Sequence, residues 1–208
     1  DTVLDEVVPF LAMRKLEPHE HEVYDLPQIA GEQASIYEHC IRALDRACTT
    51  GTHGLPLIGT GDWNDGMSRV GSEGKGESVW LAWFLTDTLR RFADIAERRG
   101  APNDAARFRK QADAYVRAAE QNGWDGAWYR RAYFDDGTPL GSASSEECKI
   151  DSIAQSWSII SGAADPARAA QAMASLEQYL VNEEERLLLL LTPPFDVTSQ
   201  DPGYIKGY

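Results

Sequence analysis

The stretch His53-Gly-Leu-Pro-Leu-Ile-Gly-Thr-Gly-Asp-Trp-Asn-Asp-Gly-Met67 gathers most of the chemistry that the chain offers. Asp62, Trp63, Asn64 and Asp65 set two carboxylates, an indole and an amide side by side, with Gly61 and Gly66 flanking them. Glycine lets a backbone come close to a ligand. An indole covers the C–H face of a pyranose, while carboxylates and amides take its hydroxyls. A carboxylic acid beside an apolar ring can keep its proton to higher pH and serve as a general acid. Two plainer readings compete with a sugar site. A calcium loop of the EF-hand type fails, because the fifth position counted from Asp62 is Gly66, where an oxygen ligand is required. An Asx-turn loop around a buried tryptophan stays open on residue types alone.

Other motifs carry less. Gly74-Lys75-Gly76-Glu77-Ser78 resembles a phosphate loop only in part, since Gly76 stands where Ser or Thr must follow the lysine. Its better role is to end the loop and start a helix at Glu77. His19 and His21 lie two apart, not four as in a helical metal pair, and His39 and His53 have no evident partners. Ser142, Ser144 and Ser145 lack the setting of a nucleophile elbow. Trp80, Trp83 and Trp157 fall at helical spacing and read as core. Trp124 and Trp128 are the further aromatic candidates for a sugar groove. Glu77, Glu146 and Asp151 are the carboxylates that could act as a second, basic group.

The elements that must position this chemistry are mostly helices. Ile36, Cys40, Ile41, Leu44 and Cys48 recur with a helical period, which predicts a helix over 32–48. Val79, Trp80, Trp83, Phe84, Phe92 and Ala96 predict another over 77–99, stopped by Gly100. Pro102 and Asn103-Asp104 open a third, reaching 121. Further helices are expected over 151–161 and 166–181. Between the first two, Thr49–Glu77 is glycine-rich and aperiodic, a long loop of the kind that usually carries function. Residues 1–31 read as irregular. An extended segment or short hairpin is expected over 124–134, with a turn at Asp135-Asp136-Gly137. Leu187–Leu191 reads as a short buried strand. The residue pattern does not separate a toroid of helical hairpins from an ordinary bundle.

Composition bounds the rest. The 208 residues carry 33 acids against 20 bases, a net charge of −13. That balance argues against nucleic acid and anionic lipid as partners. The apolar run Leu187–Leu191 is far shorter than the ~20 residues of a spanning helix. Cys40, Cys48 and Cys148 are too few for a disulfide framework, which favours reduced thiols and a cytoplasmic setting. Asp1 is not an initiator methionine, and the stop at Tyr208 has no polar tail, so a piece of a longer protein is expected.

Several motifs taken together are specific. His53 to Met67, Gly74-Lys-Gly-Glu-Ser-Val-Trp80, Trp128-Tyr-Arg-Arg-Ala-Tyr133, Ile150-Asp-Ser-Ile-Ala-Gln-Ser-Trp157, Thr192-Pro-Pro-Phe195 and Asp201-Pro-Gly-Tyr-Ile-Lys-Gly-Tyr208 closely resemble glycoside hydrolase family 94. This is the family of cellobiose, chitobiose and related β-glucoside phosphorylases. Ile58-Gly-Thr-Gly61 and Ser142-Ala-Ser144 look most like the phosphorylase-like domain of cyclic β-1,2-glucan synthases.

The resemblance implies an all-α fold, part of an (α/α)6 barrel (a six-hairpin toroid) with long active-site loops, and makes 1–208 a fragment of one catalytic domain. It implies inverting phosphorolysis, or the reverse transfer, of β-glucosidic bonds in a β-glucan or β-glucoside, releasing α-glucose 1-phosphate. Asp65 maps to the general acid, Asp62 and Trp63 to the wall of the donor-sugar subsite, and Tyr208 to the acceptor side. No metal or organic cofactor is implied; inorganic phosphate enters as co-substrate. The remaining parts of the parent chain should supply the phosphate pocket, so the isolated segment is expected to be inactive. The parent would be an inner-membrane glucan synthase with this domain in the cytosol. Alternatives are an inverting α/α-barrel hydrolase and a non-catalytic sugar-binding helical domain.

Overall fold

The computed structural model describes residues 2–17, 20 and 23–207. It divides into two compact units, Asp1–Ala47 and Cys48–Tyr208.

In the first unit, a short helix α1 (Thr2–Asp5) precedes an antiparallel hairpin of β1 (Val7–Ala12) and β2 (Gln28–Ser35), followed by α2 (Ile36–Ala47). The ladder runs from Val7↔Ser35 to Ala12↔Gln28, with a bulge between Pro9 and Leu11. This replaces the irregular segment expected over 1–31 and moves the start of α2 from 32 to 36. The cause is local at one end, where the Ser35 hydroxyl accepts the Glu38 amide as a helix cap. It is non-local at the other, where residues 28–35 take their conformation from β1. His39 has a partner after all: it stacks on Phe10 at 3.7 Å, and its Nε2 lies 3.1 Å from the Val8 carbonyl. His19 and His21 lie outside the described residues.

The second unit is built on α3 (Val79–Arg98) and α4 (Pro102–Ala118). The link Arg99–Ala101 is so short that α4 must fold back along α3. Ser78 caps α3 by accepting the Leu81 amide at 3.0 Å, and Gly100 closes it with φ 82°. Phe92 and Phe108 meet edge to face at 5.5 Å between the pair. Leu89 and Phe108 are fully buried, each a contribution of about 1.5–3 kcal/mol. The helix continues past α4 as a π-helical turn, Ala119–Gly123. A Cβ on Gly123 would sit 2.9 Å from Val79 Cγ1, so the close approach of this turn to α3 needs glycine. Then come α5 (Ser152–Ile160) and α6 (Pro166–Leu180), capped by Asp151 and Asp165.

The strands overturn the all-α expectation. Among the described residues helix accounts for 44% and strand for 15%, which makes the class helix-rich and mixed rather than the all-α class expected with the helical toroid. β3 (Glu77–Ser78), β4 (Ala132–Tyr133) and β5 (Pro139–Leu140) form one antiparallel sheet in that order. β6 (Ile150–Asp151) pairs with β9 (Leu191–Thr192), and β7 (Val181–Asn182) with β8 (Leu187–Leu188). Two-residue ladders are too short to show a period of two, so only β4 and β8, inside the extended segments expected over 124–134 and 187–191, were anticipated. Leu187 and Leu188 are 55% and 58% exposed, against the buried strand expected there. No described helix is long and apolar enough to cross a membrane.

Candidate functional site

The long loop between Cys48 and Glu77 is held by specific bonds, not by repeating structure. The Ile58 amide reaches the Gly76 carbonyl at 2.9 Å, and the Leu57 amide reaches the Thr49 hydroxyl at 2.9 Å. The Asp135 carboxylate, in the β4–β5 turn, accepts the amides of Glu73, Lys75 and Gly76 at 2.8 Å each. Ile58, Met67 and Val70 anchor the loop in an apolar cluster with Ala132, Leu140 and Phe195. Such a loop is a fixed platform.

Its tip carries the candidate chemistry. Gly61, at φ 127°, turns the chain into Asp62. Asp62 accepts the Asn64 amide at 3.1 Å, and Asn64 in turn accepts the Gly66 amide at 3.0 Å. These nested caps start a 3-10 turn over Asp65–Met67, with Asp65 at its first position. Gly66 lets this turn press on the segment before Tyr208: a Cβ there would lie 2.8 Å from Ile205 Cβ.

Trp63 and Asp65 both face a cleft of about 490 Å³. Trp63 is 59% exposed although it is a large apolar side chain. Leu191, Phe195 and Tyr204 line the cleft as well, and Asp65 is the one carboxylate among its described lining residues. Asp62 does not face it. Its side chain is 0% exposed and accepts from both terminal nitrogens of Arg131, at 2.6 and 2.7 Å, and from the Ser78 hydroxyl at 2.6 Å. Tyr208, expected on the acceptor side, lies outside the described residues.

Residue types did not reveal Arg131. It is wholly buried, with Asp62 on one side and Asp151 on the other, where Nε stands 3.5 Å from Oδ2. The available signal was a charged residue inside the aromatic run from Trp124 to Phe134. Burial pushes the Asp62 carboxyl up, but the Arg131 charge and the hydrogen bonds from Arg131, Ser78 and Asn64 outweigh it and hold the group below the usual range. Burial dominates at Asp151, which is pushed up to about 6 despite Arg131. Burial also raises the Cys148 thiol well above its ordinary value.

The other candidate acids are engaged elsewhere. Glu77 is buried and accepts the backbone amides of His53 and Leu55, with His53 Nδ1 at 2.5 Å. Glu146 lines a separate recess of about 260 Å³. Trp128 is buried, and its indole N–H points to the carbonyls of Gly141 and Lys149. Trp124 lies beneath the Arg168 guanidinium, 5.2 Å from it. Neither indole lines the cleft. Among the described residues no group of three His, Cys, Asp or Glu side chains is gathered to hold a metal ion.

The model for "Glycosyl hydrolase 94 superfamily, catalytic domain" matches residues 2–208. The chain is 51% identical over its full length to cyclic beta-(1,2)-glucan synthase NdvB of Rhizobium meliloti, of which it covers 7%. It is 36% identical, over 80% of its length, to a 3-O-beta-D-glucopyranosyl-beta-D-glucuronide phosphorylase of Paenibacillus borealis, covering 21% of that protein. A cellobionic acid phosphorylase of Neurospora crassa is 33% identical over 86% of the chain, which covers 23% of it. The chain thus spans a quarter or less of these relatives.

Proposed function

This chain belongs to the glycosyl hydrolase 94 superfamily, and on that premise we propose that it is a segment of a single catalytic domain performing inverting phosphorolysis of β-glucosidic bonds. Asp65 is the general acid in this reading. It gives its proton to the departing glycosidic oxygen while phosphate attacks the anomeric carbon from the opposite face, so α-glucose 1-phosphate leaves. Trp63 covers one face of the donor sugar. Read backwards, the same steps transfer glucose from the phosphate to an acceptor hydroxyl.

The observation that carries the reading is Asp65 facing the cleft beside Trp63, the one carboxylate among the cleft's described lining residues. An inverting hydrolase needs a second carboxylate as base, about 6.5–9.5 Å from the acid, to activate water. Phosphate is already an anionic nucleophile and needs no base. Glu77 and Asp151 are buried away from solvent, and that weighs against either as the hydrolytic base.

The likeness to a cyclic beta-(1,2)-glucan synthase supports β-1,2-glucan as the substrate and a glucan synthase as the parent. The test is incubation of the whole protein with β-1,2-glucan, with and without phosphate. Release of α-glucose 1-phosphate only when phosphate is present is the expected result. Glucose released at the same rate without phosphate would replace the phosphorylase by a hydrolase.

A further inference from the structure

Arg131 is linked, through Asp62 and Asp151, to two of the three segments that supply the cleft's described lining residues. Its terminal nitrogens hold Asp62, which caps the turn that begins at Asp65. Its Nε faces Asp151, in register with Leu191 on the paired strand, and Leu191 lines the cleft. The Arg131 backbone is fixed as well: its amide donates to the Leu140 carbonyl at 2.8 Å, and its carbonyl accepts the Val79 amide at 3.1 Å. A Cβ on Gly141 would come 2.4 Å from the Arg131 nitrogen, so glycine is required where β5 passes. The contact with Asp151 is ionic only, since neither Arg131 Nε nor Asp151 Oδ2 has a hydrogen-bond partner. The Asp62 contact is the directional one. A planar guanidinium can meet one carboxylate with two bonds and face a second across its Nε edge; a lysine ammonium cannot do both.

We propose that Arg131 is a positioning residue: through Asp62 and Asp151 it sets the Asp65-bearing turn against the Leu191 wall, and so fixes where the proton is delivered. The proposal rests on Asp65 being the general acid. A displacement near 1 Å of a catalytic group can cost about a hundredfold in rate. A loss of that kind has a signature that general destabilisation lacks. It falls on substrates whose leaving group needs a proton and spares those whose leaving group does not.

The experiment uses the whole protein with phosphate and two substrates, a β-1,2-linked glucan and a 4-nitrophenyl β-glucoside, whose phenolate departs with little proton assistance. Asp65→Asn, Arg131→Lys and Asp62→Asn are compared, with melting temperature and near-ultraviolet circular dichroism reporting the fold. Expected is a fall in kcat on the glucan of about tenfold to a hundredfold for Arg131→Lys and Asp62→Asn, against about threefold or less on the aryl glucoside, with Asp65→Asn split in the same direction but falling about 10²–10⁴-fold on the glucan. If Asp65→Asn shows the split and the folded Arg131 and Asp62 variants lower both substrates alike, or neither, Arg131 is merely structural. If Asp65→Asn shows no split, the general-acid reading fails first and takes this proposal with it. Should Arg131→Lys not fold, Asp62→Asn, which keeps the size of the side chain, decides.

Discussion

Arg131 and Asp62 meet through two hydrogen bonds of 2.6 and 2.7 Å with both side chains 0% exposed, beneath a turn whose next carboxylate, Asp65, is open to the cleft. Two aspartates three residues apart are thereby separated in role. One is spent on the fold and its charge is neutralised where it lies. The other has no such partner on the cleft side and faces the cleft.

A first prediction concerns stability. Removing one member of a buried ion pair strands the other, at a cost of about 3–5 kcal/mol. Arg131→Met leaves the Asp62 carboxylate in a site with little water, so the unfolding midpoint of the whole protein in urea should fall accordingly. A loss below about 1 kcal/mol would mean that Asp62 finds water or another donor. Exposed pairs such as Arg69–Asp201 should by contrast contribute little when broken.

The second prediction is a pH dependence set by Asp151. Its carboxyl is raised from 3.8 to about 6 by burial, so between those values the folded state binds a proton that the unfolded state has released. Stability from this group is therefore fully present below about pH 4 and is lost as pH rises through about 6. The range is of the order of 2–3 kcal/mol. Asp151→Asn should abolish that slope, measured as the difference between the two unfolding curves at pH 4.5 and pH 7. Asp62, held low by Arg131, runs the other way, losing its contribution only as the solution becomes acidic. A wild type and an Asp151→Asn variant with parallel pH profiles would show that Asp151 stays ionised throughout.

These couplings also show what the sequence makes legible and what it hides. α3 and α6 fall within about two residues of their predicted bounds, because wide apolar faces repeat with the helical period. The β1–β2 hairpin and the strands at 77–78, 139–140, 150–151 and 181–182 were missed because each is defined by a partner elsewhere in the chain, whereas β4 and β8 fall inside the extended segments expected over 124–134 and 187–191. The cleft residues Trp63 and Asp65 could be singled out by type, since an indole beside carboxylates between glycines suits a sugar. Asp62 could not be told from Asp65, because the group that distinguishes them, Arg131, lies 69 residues away.

The third prediction separates Trp63 from the fold. Its side chain is 59% exposed, so Trp63→Ala should change stability by no more than about 0.5 kcal/mol. Loss of a ring-to-sugar contact worth about 0.5–1.5 kcal/mol should raise KM up to about tenfold. If the sugar is held equally in ground and transition states, kcat changes less than KM. Unchanged kinetics in Trp63→Ala would place the donor sugar away from this indole.

The last prediction concerns Asp65 itself. Asparagine has nearly the same shape but cannot deliver a proton to the departing oxygen. General acid assistance is worth about 10²–10⁴-fold, so Asp65→Asn should lower phosphate-dependent release of α-glucose 1-phosphate by that factor. Because Asp65 is exposed and the cap of its turn is formed by Asn64, the substitution should leave the melting temperature within about 2 °C of the wild type. Sugar binding should survive better than turnover, since the proton moves only as the bond breaks. The outcome separates the enzyme readings from the binding one. A folded Asp65→Asn protein that still binds glucan but has lost turnover fits an acid in the cleft. One that keeps near-normal turnover hands the proton to another group, and Glu146 in the neighbouring recess is then the next carboxylate to replace. Whole protein that binds glucan with no turnover in either form would leave a sugar-binding domain in place of an enzyme.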